Sequence, residues 1–253
     1  MIAEIAHKGR TFKVDLGAPI DLALPLHDGE GQLRAWWIDP VTMEPVRNGD
    51  TVYAVKQGAP VNFRTIRFNP HGHGTHTESV GHIAAEVHPI GDLLKRYFFT
   101  AQLVSLIPEH RRAHDGRTDQ VITFEQLRNV VNERPCEALV IRTLPQDEGV
   151  AHKDWSGTNP CYLQSTACAW LRSIGVKHLL LDLPSVDREE DGGVLAAHHA
   201  FWDHPGTLDL ERTITELIHV PPIAKDGDYM LELQLPRIMN DAAPSRPVLY
   251  ALI

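Results

Sequence analysis

Cysteine is scarce: Cys136, Cys161 and Cys168 are the three in 253 residues. An odd number at these spacings is neither a disulfide framework, a zinc knuckle nor a C-x-x-C redox pair, so buried free thiols are expected. No segment approaches the roughly 20 uninterrupted apolar residues of a membrane-spanning helix. The opening stretch MIAEIAHKGRTFKVD lacks the apolar core of a secretory signal, and a soluble, cytoplasmic protein is expected. Basic charge is also in short supply, with 24 Lys and Arg against 33 Asp and Glu, a formal charge of -9 and a pI near 5.9. That balance argues against nucleic acid or a membrane as partner, since both demand clustered Lys and Arg; a small-molecule substrate is the expected partner. Internal repeats, low-complexity runs and Pro/Gly/Ser-rich linkers are absent too, so residues 1–253 are expected to form a single domain.

What is present alternates between two periodicities. VNFRTIRF (61–68) alternates apolar and polar residues as a strand does. TFEQLRNVVNERPCEALVIRT carries a helix from a Thr123 cap, a break around Pro135 and the strand EALVIRT. LQSTACAWLRSIGVKHLLLDLPSVD repeats the order, with a helix ending near Gly175 and the strand HLLLDL. TITELIHV, YMLELQLPRI and RPVLYALI read as three further strands. Helix–strand alternation predicts an α/β layer with some parallel pairing. Residues 25–60, 109–122 and 186–210, rich in Pro, Gly, Asp or His, are expected to be long irregular connections.

Histidine is the residue in excess. NPHGHGTHTESVGHI (69–83) holds His71, His73, His76 and His82 around Glu78. If residues 76–82 are extended, the two-residue period puts His76, Glu78 and His82 on one face. Neutral imidazoles and a carboxylate are ligands for zinc, manganese or iron, and a site with open positions polarises water. Gly72, Gly74 and Gly81 suit tight turns and close approach of a substrate.

Two families share these letters. H-x-H-x4-E within HGHGTHTE resembles the first cupin motif, but the flanking glycines and a later P-x-G-x2-H-x3-N segment are missing. The fuller resemblance is to the metal-dependent cyclase/kynurenine formamidase superfamily, with its signature H-x-G-T-H-x-D-x-P-x-H. Here Gly74–His76 supply G-T-H, Glu78 stands for Asp, Val80 for Pro, and His82 matches the last His. The first His falls on Gly72; His71 or His73 could replace it, and His71 is favoured. AWWIDP is similar to a substrate-side W-P-G-D-P segment, GVKHLLLDLPSVD to G-[IV]-x-x-[IV]-G-[IL]-D-x-x-S-[IV]-D, AAHHAFW to a paired-histidine segment and TITELIHV to the strand of a distal glutamate. LELQLPRI and APSRPVLYAL resemble the closing strands.

The resemblance implies a cyclase-like swivelling β/β/α fold, with mixed sheets and packed helices. It implies one or two divalent transition metals per chain, zinc or manganese, held by His71 (or His73), His76, Glu78, His198 and Glu216. His82 would carry a proton and Trp36 would touch the substrate. It further implies a homo-oligomer and arylformamidase-like hydrolysis of a non-peptide C–N bond by metal-activated water. A cyclase or dehydratase of the same superfamily, and metal binding without turnover, are the alternatives. Two departures stand out: Glu78 is one methylene longer than Asp, and an insertion, roughly DHPGTLDLER, adds His204. Asp187 and the run DREED read as a solvated loop.

Overall fold

The computed structural model describes residues 1–132 and 136–253. Strands Phe98–Leu106, Ala138–Thr143, His178–Leu181 and Thr213–Glu216 run parallel in the middle of a nine-stranded mixed sheet. Parallel strands are covered on both faces and therefore tolerate unbroken apolar runs. Leu139, Ile141, Leu179 and Leu181 point into one core layer, and Ala138, Val140 and Leu180 into the other, as the two-residue period requires.

Helices Phe124–Val130, Ser165–Ser173 and Ala196–Trp202 cover the first layer through Leu127, Cys168, Leu171, Phe201 and Trp202. The second layer is closed by Leu22, Ile90, Ile218 and Val220. Antiparallel strands Gly227–Glu232, Val248–Ala251 and Ile20–Asp21 extend the sheet beyond Phe98–Leu106, while His76–Glu78 and Ala242–Pro244 extend it beyond Thr213–Glu216. A hairpin, Ile2–His7 with Arg10–Asp15, packs Phe12 and Val14 on Met230 and Tyr250. The mixed sheet with packed helices is the architecture expected.

Local signals account for most elements. A reciprocal capping box between Thr123 and Gln126 starts the first long helix; it ends at Val130, and the expected break at Pro135 lies outside the described residues. The second ends ahead of Gly175, whose φ of 94° is left-handed. Cys161 and Cys168 are buried and free, while free Cys136 is only half-buried.

Four expectations change. The stretch 109–122 is not irregular: Glu109–Arg112 and Thr118–Ile122 form a hairpin, whose first strand is charged and largely exposed while the second buries Asp119, Val121 and Ile122. Likewise 186–210 contains the helix Ala196–Trp202, and 25–60 contains the short strands Thr42–Pro45, Arg47–Asn48 and Thr51–Val52. The strand expected at 61–68 shortens to Arg64–Arg67, paired with Thr42–Pro45 in an exposed ribbon apart from the large sheet.

Candidate metal centre

Strand register assembles the centre. His76 lies opposite Glu216, and Glu78 opposite Ile214 and Ala242; residues directly opposite share a face. His76, Glu78 and Glu216 are therefore neighbours, 0%, 0% and 4% exposed. Thr77 points the other way, to the hydroxyls of Thr215 and Ser245, each at 2.8 Å.

The strand stops at Glu78, which corrects the expectation that residues 76–82 are extended. The Ser79 hydroxyl accepts the Gly81 N–H at 3.1 Å and donates to the His88 carbonyl at 2.5 Å, folding Val80–His82 into one 3-10 turn. A Cβ on Gly81 would lie 2.9 Å from the His88 oxygen, so glycine permits this close approach. His82 thus reaches the cluster by a turn, not by strand parity.

His198 arrives from the first turn of Ala196–Trp202. Asp187 accepts the N–H groups of Ala197 (2.7 Å) and His198 (3.0 Å) and pairs with His198 Nδ1 at 2.6 Å. Asp187 is 6% exposed, so the expected solvated loop is corrected: this carboxylate caps a helix and aims an imidazole. His198 Nε2 then lies 3.2 Å from Glu78 Oε1 and 3.9 Å from Glu216 Oε1.

His71 closes the other side, its Nδ1 3.1 Å from Glu78 Oε2 and its Nε2 2.8 Å from Asp241 Oδ2. His82 Nδ1 is 3.4 Å from the same Asp241 oxygen and 3.8 Å from Glu78 Oε2. His76 Nε2 is 3.4 Å from Glu216 Oε2. Asp241 was not legible in the sequence. Its only signal is a carboxylate just ahead of the strand Ala242–Pro244, and pairing of that strand with His76–Glu78 brings it in.

The donor set fits a divalent metal. Donor atoms of His71, His76 and Glu78 lie within 4.8 Å of one another, as do those of Glu78, His82 and His198, and of His71, His82 and Asp241. His76 Nε2 and Glu78 Oε2 are buried with no hydrogen-bond partner among the described residues; His71 Nδ1 is near that oxygen but out of line for a bond. Such atoms cost roughly 1–3 kcal/mol each unless something meets them.

Charge tells the same story. Burial opposes protonation of His71, yet Asp241 and Glu78 push it up to about 10. Burial likewise opposes protonation of His198, which Asp187 and Glu78 push up to about 10. Burial alone would raise Glu78, but His82, His198 and His71 hold it well below the usual range. Hydrogen bonds from His71 and His82 hold Asp241 low as well. Without a cation the buried acids are thus balanced by protonated imidazoles, a role a divalent metal takes over with release of protons.

His73 stands apart, because its Nδ1 accepts the Asn69 N–H and its Nε2 donates to the Asp39 carbonyl, both at 2.8 Å. A Cβ on Gly72 would lie 2.4 Å from Ile38 Cδ1 and 3.1 Å from the Ala35 oxygen. A side chain at position 72 would have to displace the tip of Ile38 and press on the Ala35 carbonyl, and of its two neighbours the fold brings His71 to the cluster. Trp36 is half-buried against a small core cluster that includes Val150, Trp155 and Leu217, the residue after Glu216. His204 of the insertion pairs with His199, Nδ1 to Nδ1 at 3.1 Å.

The family described as "Putative cyclase" matches residues 14–188, a span that holds Trp36 and the histidine cluster but ends before His198, Glu216 and Asp241. The chain is 28% identical over 229 residues to kynurenine formamidase of Bordetella avium (strain 197N), covering 87% of this chain and 99% of that protein. A predicted metal-dependent hydrolase from Bacillus stearothermophilus has a similar fold, with a TM-score of 0.62 at 16% identity over 92% of this chain and 98% of that one. Isatin hydrolase A from Labrenzia aggregata, bound to benzyl benzoate, gives 0.64 at 11% identity over 93% and 94%.

Proposed function

Because the chain belongs to the putative cyclase family, we propose that it is a metal-dependent hydrolase of a small amide, arylformamidase-like in cleaving a non-peptide C–N bond. The observation that carries this reading is the buried pair His76 Nε2 and Glu78 Oε2, both without a hydrogen-bond partner among the described residues, ringed by His71, His198 and Glu216. His71, His76 and Glu78 would hold one ion; Glu78, His198 and Glu216 would hold a second. Mixed imidazole and carboxylate donors suit zinc or manganese. The bound metal supplies Lewis acidity, lowering the pKa of water and polarising a carbonyl.

The chain's own groups do the rest. Glu78, kept ionised by three imidazoles, would contribute a carboxylate to both ions from the strand His76–Glu78, which is buried and paired on both edges. Asp187 and Asp241 fix the rings of His198 and His71. His82, at 31% the most exposed ring of the cluster, meets the substrate. With Nδ1 toward Asp241, its other nitrogen is left to pass a proton to the departing amine. Trp36 would flank an aromatic substrate.

The test is formate release from N-formylkynurenine by protein loaded with zinc or manganese, read beside metal content. The expected result is about two metals per chain and turnover. His82→Ala should abolish turnover with metal content intact; loss of metal instead reassigns His82 as a ligand. Full metal content with no action on formamides or lactams overturns the hydrolase reading, and failure to bind metal overturns the centre.

A further inference from the structure

The histidine cluster has an inner and an outer side. The side chains of His76, Glu78, His198 and Glu216 are at most 5% exposed, whereas those of His71, His82 and Asp241 are 19%, 31% and 24% exposed. On that outer side Asp241 Oδ2 lies 2.8 Å from His71 Nε2 and 3.4 Å from His82 Nδ1. The two rings stand 4.3 Å apart, centroid to centroid, and donor atoms of the three residues lie within 4.8 Å of one another. Neighbouring ligands about 2.1 Å from a metal are about 3.0 Å apart on an octahedron and about 3.4 Å apart on a tetrahedron. The outer trio has the spacing of a ligand set.

His71 belongs to both sides. Its Nδ1 faces Glu78 Oε2 at 3.1 Å and its Nε2 faces Asp241, so one ring divides two donor sets. The two inner ions draw on His71 Nδ1, His76, Glu78, His198 and Glu216, which leaves His71 Nε2, His82 Nδ1 and the Asp241 carboxylate to a further cation. Among the described residues those two rings are the partners of that carboxylate. The backbone holds the trio in place before any ion arrives: the Ser79 N–H donates to the Asp241 carbonyl at 2.9 Å, and the Ser79 hydroxyl folds the turn that carries His82. Two imidazoles and a carboxylate suit zinc, whereas magnesium and calcium take oxygen ligands.

We propose that His71 Nε2, His82 Nδ1 and Asp241 form a third, exchangeable zinc site, filled only when zinc exceeds the two inner equivalents, and that its filling silences the proton carrier. The proposal rests on the two-metal centre assigned above. On binding, His71 Nε2 gives its hydrogen to water and the ring becomes a bridge between inner and outer ions. Neutral His82 changes from its Nδ1–H to its Nε2–H tautomer. Ligated through Nδ1 and protonated on Nε2, this ring can neither collect a second proton nor pass its own to the departing amine at neutral pH. The greater exposure of the trio lets this ion exchange with solvent while the inner pair stays enclosed.

The test titrates zinc into the two-zinc protein, with calorimetry and equilibrium dialysis reading stoichiometry and formate release reading turnover. Wild type should bind a third equivalent that desalting removes. As it fills, turnover should fall about 100-fold, the low end of what a positioned proton carrier contributes. His82→Ala and, separately, Asp241→Asn should bind the third equivalent at least about tenfold more weakly, with far-UV circular dichroism matching wild type. His204→Ala, outside the trio, should leave it unchanged. Calorimetry reads the site whatever amide the enzyme cleaves. Two tight ions without a third equivalent would overturn this proposal alone, whereas fewer than two tight ions would strike the centre assigned above together with it. A third equivalent that keeps its affinity in His82→Ala, or vanishes in His204→Ala, places the excess zinc elsewhere and overturns it too. So would a filled third equivalent with turnover unchanged, or loss of a tight ion in His82→Ala, which makes His82 a ligand of the working centre.

Discussion

Asp187→Asn is the sharpest test of the centre, because sequence and structure lead to opposite results. In a solvated loop the change would be worth no more than about 0.5 kcal/mol. In the structure the carboxylate is buried, accepts two helix N–H groups and pairs with His198 at 2.6 Å. The amide that replaces it has one acceptor oxygen and turns an NH2 toward donors. Loss of a cap costs about 1 kcal/mol, and breaking a buried pair roughly 3–5 kcal/mol. Glu78 still offsets part of the His198 charge, so the two do not add fully, and a loss of about 2–4 kcal/mol is expected. Urea denaturation of metal-stripped protein near pH 7 measures it. Since the carboxylate also orients the ring toward Glu78, metal affinity should fall about 10–100-fold, read by titration against a competing chelator. An unfolding free energy within about 0.5 kcal/mol of wild type, together with unchanged affinity, would refute the reasoning.

His71→Ala should empty one metal position, whereas His73→Ala should keep the metal and lose about 1–2 kcal/mol with its two clamping bonds; equal metal loss in both would remove the distinction. Gly72→His restores the family letter but should destabilise by about 1–3 kcal/mol through the Ile38 and Ala35 contacts; a gain in metal affinity would contradict this. For metal-free protein, His71 and His198 sit near 10 when folded against 6.5 when unfolded, so their stabilisation is full below pH 6.5 and fades as pH rises toward about 10. Glu78, Asp187 and Asp241 are held low, so theirs is full above the ordinary carboxylate range and fades as pH falls. The urea midpoint should therefore peak at mildly acid pH, and a midpoint rising from pH 7 to 9 would be wrong for this network.

Legibility followed locality. The Thr123 capping box, the Gly175 stop and the apolar runs of 138–143 and 178–181 are decided by neighbours within a few residues, and each was readable. Thr42–Pro45, Arg47–Asn48, Thr51–Val52 and Glu109–Arg112 were hidden because short strands with no buried face need no apolar alternation. His82 was placed with the cluster for the wrong reason, since extension through 82 ignored the Ser79 hydroxyl that turns the chain. Asp187 looked solvated because DREED is charged, and only the following helix start reveals what it caps.

By itself the sequence determined the chemistry on offer: a dense run of imidazoles about one acid, a net acidic chain, and the apolar periods of a mixed sheet. The tertiary structure alone decided which groups meet. Register across strands more than a hundred residues apart sets Glu216 and Asp241 beside His76 and Glu78, and of the two histidines that flank Gly72 the fold brings His71 to the cluster. Ligand types are properties of single side chains, whereas their convergence depends on long-range pairing and on the volume that neighbouring segments leave.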